Sequence, residues 1–164
     1  VARSDFRFAY RKRVRYAEID AQAVLFNSRY LEYFDIGITE YWRAAGMYEK
    51  TAVGGEGAAE FHVAKAEVNF KAPVLLDEEV DICVRCTRIG TSSMTFAFEI
   101  HGLATAPAGT AAGDGPPADD LRATGEEVSV HVAESRGRPA PLPDWVVELF
   151  EAYEGRTLRE RRAA

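Results

Sequence analysis

The sequence is poor in the residues that build covalent or metal frameworks. Among 164 residues there are two cysteines, Cys83 and Cys86, and three histidines, His62, His101 and His131. Two cysteines cannot make the disulfide lattice of a small secreted domain. No Cys or His falls at zinc-ligand spacing, so no metal is expected; on one strand Cys83 and Cys86 would point to opposite faces. No run approaches the ~20 apolar residues of a membrane span. No apolar leader core stands near the start, which points to a cytoplasmic protein without a membrane partner. Basic residues are the minority sign. Twenty Lys and Arg against 26 Asp and Glu leave a net charge of −6, which argues against nucleic acid as a partner.

What is present is an ordinary globular composition, 47% hydrophobic and 28% charged. The length suits one domain, residues 1–164, with a real core. The start is locally basic, with Arg3, Arg7, Arg11, Lys12, Arg13 and Arg15 against Asp5. Such a strand suits either a phosphorylated ligand or a solvated sheet edge that charge keeps from aggregating.

Residues 7–16 alternate, with Phe8, Tyr10, Val14 and Tyr16 on one face, as in a half-buried strand. From 30 to 45 the period lengthens. Leu31, Phe34, Ile38, Tyr41 or Trp42, and Ala45 make one helical stripe, with Asn27 or Ser28 to cap it and Gly46 to end it. After a Gly-rich connector at 54–57 come four strand-like runs. Their apolar faces are His62, Ala64, Ala66, Val68 and Phe70; Val80, Ile82, Val84 and Cys86; Met94, Phe96, Phe98 and Ile100; and Val128, Val130 and Val132. On this reading His101 and His131 form a solvent-facing pair, and His62 is buried. Residues 104–120 are rich in Ala, Gly and Pro and read as a flexible insertion. A short C-terminal helix carries Val146, Leu149, Phe150 and Tyr153; residues 156–164 read as a frayed tail.

Strand, long helix, four strands, short helix is an α+β order. One long helix can cover one apolar face of a curved antiparallel sheet of about five strands. The remaining edge or apolar surface then falls to a second subunit.

Chemistry concentrates between the first strand and the helix. Glu18 and Asp20 stand just ahead of a helix N-terminus, whose unpaired N–H groups and partial positive charge suit a developing oxyanion. A carboxylate there can attack a thioester carbonyl or deprotonate a water. The thiolate departs without a strong acid, because a thiol pKa is about 8.5. The residues alone equally allow Asp20 to be a turn-former or cap, and Glu18 to be a surface carboxylate.

The segment Tyr16…Asp20…Asn27…Tyr30-Leu31 resembles the signature of the 4-hydroxybenzoyl-CoA thioesterase family of hotdog proteins. So do Val68 to Pro73 with Asp77-Glu78, Arg88 to Phe96, and Pro141-Leu142-Pro143. The resemblance implies the hotdog fold, a sheet wrapped around one long central helix. It implies acyl-CoA hydrolysis with Asp20 as nucleophile or general base and the Asn27 backbone N–H as oxyanion donor. No cofactor is implied beyond the coenzyme A of the substrate. It further implies a homodimer or tetramer with a site between subunits. Asp20 and the helix tip would come from one chain, and Phe70 and the 88–93 turn from the other. Tyr30, Phe70, Lys71, Arg85, Arg88 and Ser92 are the substrate-binding candidates, the basic ones for phosphate. Ala23 stands where the family often has Gly, so the turn there is expected to differ. Hydrolysis of an acyl carrier protein thioester, or acyl binding without catalysis, are the alternatives.

Overall fold

The structure, a computed structural model, describes residues 3–51, 59–103, 120–133 and 137–159. The connector at 54–57, the insertion apart from Asp120, and residues 160–164 lie outside the described residues.

Strands β1 (Phe8–Arg13), β2 (Glu60–Phe70), β3 (Glu79–Ile89), β4 (Ser93–Gly102) and β5 (Leu121–Val132) form one antiparallel sheet in the order β1-β3-β4-β5-β2. Helix α1 (Arg29–Ala45) packs on one face, followed by the single turn α2 (Met47–Lys50); α3 (Asp144–Glu154) closes the core near the far end of α1. This is the expected α+β hotdog arrangement. No described helix is long and apolar enough to cross a membrane.

The stripe of α1 holds from its second turn on: Phe34, Ile38, Tyr41 and Ala45 are buried, and Gly46 at φ 90° ends the helix. Leu31, expected on that stripe, is 45% exposed, and Tyr30 and Tyr33 fill the buried face there instead. Tyr41 is the hub of the far end. Its ring stacks on Phe150 and meets Phe8, Phe96 and Tyr153 edge-on, while its hydroxyl donates to Glu154 (2.6 Å) and accepts from the Cys86 N–H (3.2 Å). Gly125 lets the helix come close. A Cβ there would stand 2.2 Å from Phe34 Cε2.

Four further expectations change. First, β1 ends at Arg13, and Tyr16 lies in a 3-10 turn at Tyr16–Glu18, 82% exposed instead of on an apolar face. Second, β5 is inverted. Its register sets Ser129, Glu127, Gly125 and Ala123 opposite Met94, Phe96, Phe98 and Ile100, so the helix-facing row is small and polar while Val128 and Val130 face away. Glu127, Ser129 and His131 are buried. His131 therefore packs against Phe61, whose ring meets Trp42 of α1, while His101 is buried on the other face beside Glu99 (2.7 Å); they are not a solvent-facing pair. Third, a bulge between Val63 and Lys65 shifts the alternation of β2, placing His62 outward, exposed and beside Glu60. Fourth, residues 156–159 are docked: Leu158 is buried and its carbonyl accepts from the Ile89 N–H (2.9 Å).

β2 is an edge strand, and most of its residues are exposed on both faces, including Val63 and Phe70.

Candidate active site

After β1 the chain folds into a small hairpin over residues 18–26. The Phe26 N–H donates to the Glu18 carbonyl (3.0 Å), Ile19 bridges Leu25, and the Asp20 N–H donates to the Val24 carbonyl (2.9 Å). Asp20 therefore begins the turn. Its Oδ1 accepts from the Gln22 N–H (2.8 Å), and its carbonyl from the Ala23 N–H (3.0 Å). Among the described residues nothing donates to Oδ2, and the side chain is half-buried. Ala23 sits at φ 60°, the left-handed conformation that a Cβ disfavours by about 1–2 kcal/mol.

The other limb of the hairpin runs into α1. Ser28 is the N-cap residue but makes no side-chain cap bond, contrary to expectation, and Asn27 makes none either. Among the described residues the Asn27 and Ser28 N–H groups have no acceptor within the chain. A 17-residue helix thus presents its positive end with donors to spare.

Glu18 is not the surface carboxylate expected. Its side chain is 18% exposed and accepts from Lys12 Nζ (2.6 Å), the Tyr33 hydroxyl (2.8 Å) and the Arg15 N–H (2.8 Å). Burial pushes its pKa up. The Lys12 ammonium, the Arg15 N–H and the Tyr33 hydroxyl outweigh that and hold the carboxyl below its ordinary value. Burial and Glu18 together raise the Tyr33 phenol. Lys12 ties β1 to this knot and lies over the Tyr33 ring, 4.5 Å from its centroid. Sequence reasoning missed Lys12, although its parity with Phe8, Tyr10 and Val14 put it on the inner face.

The hairpin leans on residues 73–78. The Leu25 N–H donates to the Val74 carbonyl (2.8 Å), the Leu76 N–H to the Ala23 carbonyl (3.1 Å), and Val24 bridges Leu75. The Tyr30 phenol, raised by burial, meets the Val74 backbone, and its ring packs edge-on against Phe70 at 4.9 Å. Lys71 is exposed at the end of β2.

Asp20, Asn27, Tyr30, Phe70 and Lys71 therefore gather at one end of the sheet, so Phe70, expected from the other chain, stands beside the helix tip of its own chain. Arg85 does not join them. It lies on β3 with its guanidinium over the Phe6 ring (5.0 Å), donating to the Asp5 carbonyl. Arg88 and Ser92 stand at the other end of β3, about 30 Å away along the strand at ~3.3 Å per residue. One protomer does not bring the two groups together.

Residues 14–150 match the thioesterase-like superfamily, and the chain belongs to it. It is 27% identical to a Thermus thermophilus thioesterase crystallised with coenzyme A and zinc, with a TM-score of 0.69 over 93% of this chain and 98% of that one. Two more distant structures share the fold. A Pseudomonas aeruginosa protein superimposes with a TM-score of 0.75 at 18% identity, covering 97% of this chain and 98% of its own. The 1,4-dihydroxy-2-naphthoyl-CoA thioesterase of Synechocystis does so at 0.67 and 16% identity, covering 87% and 94%.

Proposed function

We propose that the protein is an acyl-CoA thioesterase of the 4-hydroxybenzoyl-CoA type, with Asp20 as nucleophile or general base. One observation carries the reading. Asp20 opens a hairpin whose other limb delivers the unclaimed Asn27 and Ser28 N–H groups at the tip of the long helix. A thioester carbonyl set between them meets a carboxylate oxygen on its carbon and N–H donors on its oxygen. As the carboxylate, or a water it deprotonates, adds to the carbon, negative charge builds on the carbonyl oxygen and the helix end offsets it; collapse then re-forms the carbonyl and expels the thiolate, and on the nucleophilic route water hydrolyses the resulting anhydride.

The site is completed by a second copy. Among the described residues one edge of the eleven-residue β2, bearing Val63 and Phe70, is left unpaired. Pairing two such edges antiparallel about a two-fold axis buries both. It also turns the second copy end for end, so its Arg88 and Ser92 come to the end of the assembly that holds Asp20. Coenzyme A phosphates then fall to Lys71 of one chain and to Arg88 and Ser92 of the other; Arg85, engaged with Phe6 and Asp5, is left out of that set.

The test is thiol release over short, long, branched and aromatic acyl-CoAs, with the same acyl groups on an acyl carrier protein in parallel. Asp20→Asn should stay folded and lose orders of magnitude in turnover. Full turnover by that variant would remove Asp20 from the chemistry. Release confined to the carrier-protein arm would replace coenzyme A as the thiol carrier.

A further inference from the structure

Residues 73–78, on which the Asp20 hairpin rests, are not in a helix or strand. Among the described residues they contain the second non-glycine residue with positive φ, Asp77 at 63°. Two such residues, Ala23 and Asp77, flank the bridged pair Val24 and Leu75. Conformations of this kind persist only where the surroundings enforce them.

Arg122 supplies much of that enforcement. Its guanidinium forks onto Asp120, Nε to Oδ1 at 2.8 Å and Nη2 to Oδ2 at 2.7 Å. The same group reaches Glu78, Nη2 to Oε1 at 2.6 Å and Nη1 to Oε2 at 3.2 Å, and Nη1 also donates to the Pro73 carbonyl. Glu78 Oε2 in turn accepts from the Leu75 N–H (2.8 Å), and the Arg122 carbonyl accepts from the Lys71 and Ala72 N–H groups (2.9 and 3.1 Å). Both ends of the 71–78 segment are thus tied to one residue on β5. The ion pair with Glu78 is well shielded, the side chains being 16% and 17% exposed. Arg122 also holds the Asp120 carboxyl below its ordinary range. Besides the hairpin bonds, the segment is held by the buried Val74, by the Val14 N–H on the Glu78 carbonyl (2.9 Å), by the Asp77 N–H on the Val14 carbonyl (3.3 Å) and by the Arg13 guanidinium on the Asp77 carbonyl (2.7 Å).

We infer that Arg122, clasped by Glu78 and Asp120, is a positioning residue that fixes the 73–78 segment and, through its bridge to residues 23–25, the attack geometry of Asp20. Arg122 touches no atom of Asp20; it acts through two backbone layers. A planar guanidinium is needed because three acceptors from three directions share it, which a lysine point charge cannot satisfy. The inference rests on the catalytic reading of Asp20.

The geometry also suggests a rescue. A cleft of about 700 Å³ opens beside Arg122, its lining including Arg13, Leu76 and Leu103. Truncation at position 122 leaves a space that a small guanidinium can reach from solvent. Arg122→Ala, assayed with the acyl-CoA that the parent turns over fastest, should lose about 10–100-fold in kcat, the scale set by misplacing a reacting group by an ångström. KM should stay within about twofold, because Lys71 is held by the Arg122 backbone carbonyl, which the substitution keeps, and Arg88 and Ser92 lie at the other end of the sheet. Millimolar methylguanidinium should restore a large part of kcat in Arg122→Ala and none in Asp20→Asn, and Arg122→Lys should recover little. Should Arg122→Ala fail to fold, Glu78→Gln decides. It keeps the side-chain shape, and a kcat drop of about fivefold or more at constant KM supports the clasp. Parental kcat in Arg122→Ala, or an unrescued loss beside a fully active Glu78→Gln, overturns it. In either case an inactive Asp20→Asn leaves the catalytic reading standing. A fully active Asp20→Asn removes both.

Discussion

Gly125→Ala tests the packing of helix on sheet with one methyl group. The new Cβ would stand 2.2 Å and 2.6 Å from Phe34 Cε2 and Cζ, and 2.7 Å from the Glu67 carbonyl oxygen on β2. Ordinary contacts begin near 3.5 Å, so something must move by about 1 Å. Phe34 cannot turn aside. It is 1% exposed and stacked on Phe98 at 4.5 Å and 17°. The Glu67 oxygen belongs to the backbone paired with Gly125 through β2. With both sides clamped, the cost belongs at the upper end of the overpacking range, about 3 kcal/mol. For a chain of this size that lowers Tm by about 6–12 °C. Urea unfolding followed by circular dichroism reads it directly. Phe34→Leu removes the two clashing ring atoms, so the double variant should be less damaged than the sum of the singles by at least about 1 kcal/mol. A Gly125→Ala protein within about 0.5 kcal/mol of the parent, or strictly additive effects, would refute the claim that this contact sets the helix height.

Two carboxyls with opposite shifts give opposite pH signatures. Burial, outweighed by Lys12, Arg15 and Tyr33, leaves the folded value of Glu18 below 4.5. Its contribution is present above 4.5 and disappears as pH falls through the lower folded value. Glu18→Gln should cost about 1–2 kcal/mol near neutral pH and almost nothing in strong acid, read as urea midpoints across pH; a pH-independent cost would contradict the ion pairing. Glu127 is the reverse case. Burial, aided by Asp35 and only partly countered by the Ser129 hydroxyl, raises its folded value above 4.5. The unfolded chain ionises first, so stability falls as pH rises from 4.5 towards that folded value. Glu127→Gln should raise the urea midpoint near neutral pH and leave it unchanged near pH 4, a difference that vanishes if the carboxyl is solvated.

The parts of this fold that are legible in the sequence are those where one element decides its own burial. The three-and-four spacing of α1 and the apolar rows of β3 and β4 are of this kind. β5 is different. Its valines look like a core face, yet the helix descends so close over Gly125 that the inner row must begin with small residues, and the register with β4 carries Glu127 and Ser129 inward behind them. That choice is made by neighbouring strands and is invisible in a local pattern. The bulge at Val63 and Lys65 hid the direction of His62 for the same reason. At the candidate site, Asp20 and Asn27 are readable because the hairpin is contiguous in sequence. Glu18 and Lys12 are readable only in part, since their knot closes through Tyr33 on the helix. The Arg122 clasp joins residues 44 positions apart in sequence, and nothing beside Arg122 marks it.

In the dimer proposed above, the open rim of β2 makes dilution a perturbation in its own right. A chain set loose from that dimer would carry a long row of unpaired backbone groups with Val63 and Phe70 in water. The ion pairs of Lys65 with Glu67 and Glu126 put charge along the outward side of that rim, a guard against indiscriminate stacking of copies. In such a dimer mass action couples folding to self-association, and storage concentration then joins temperature in determining how long a preparation stays competent.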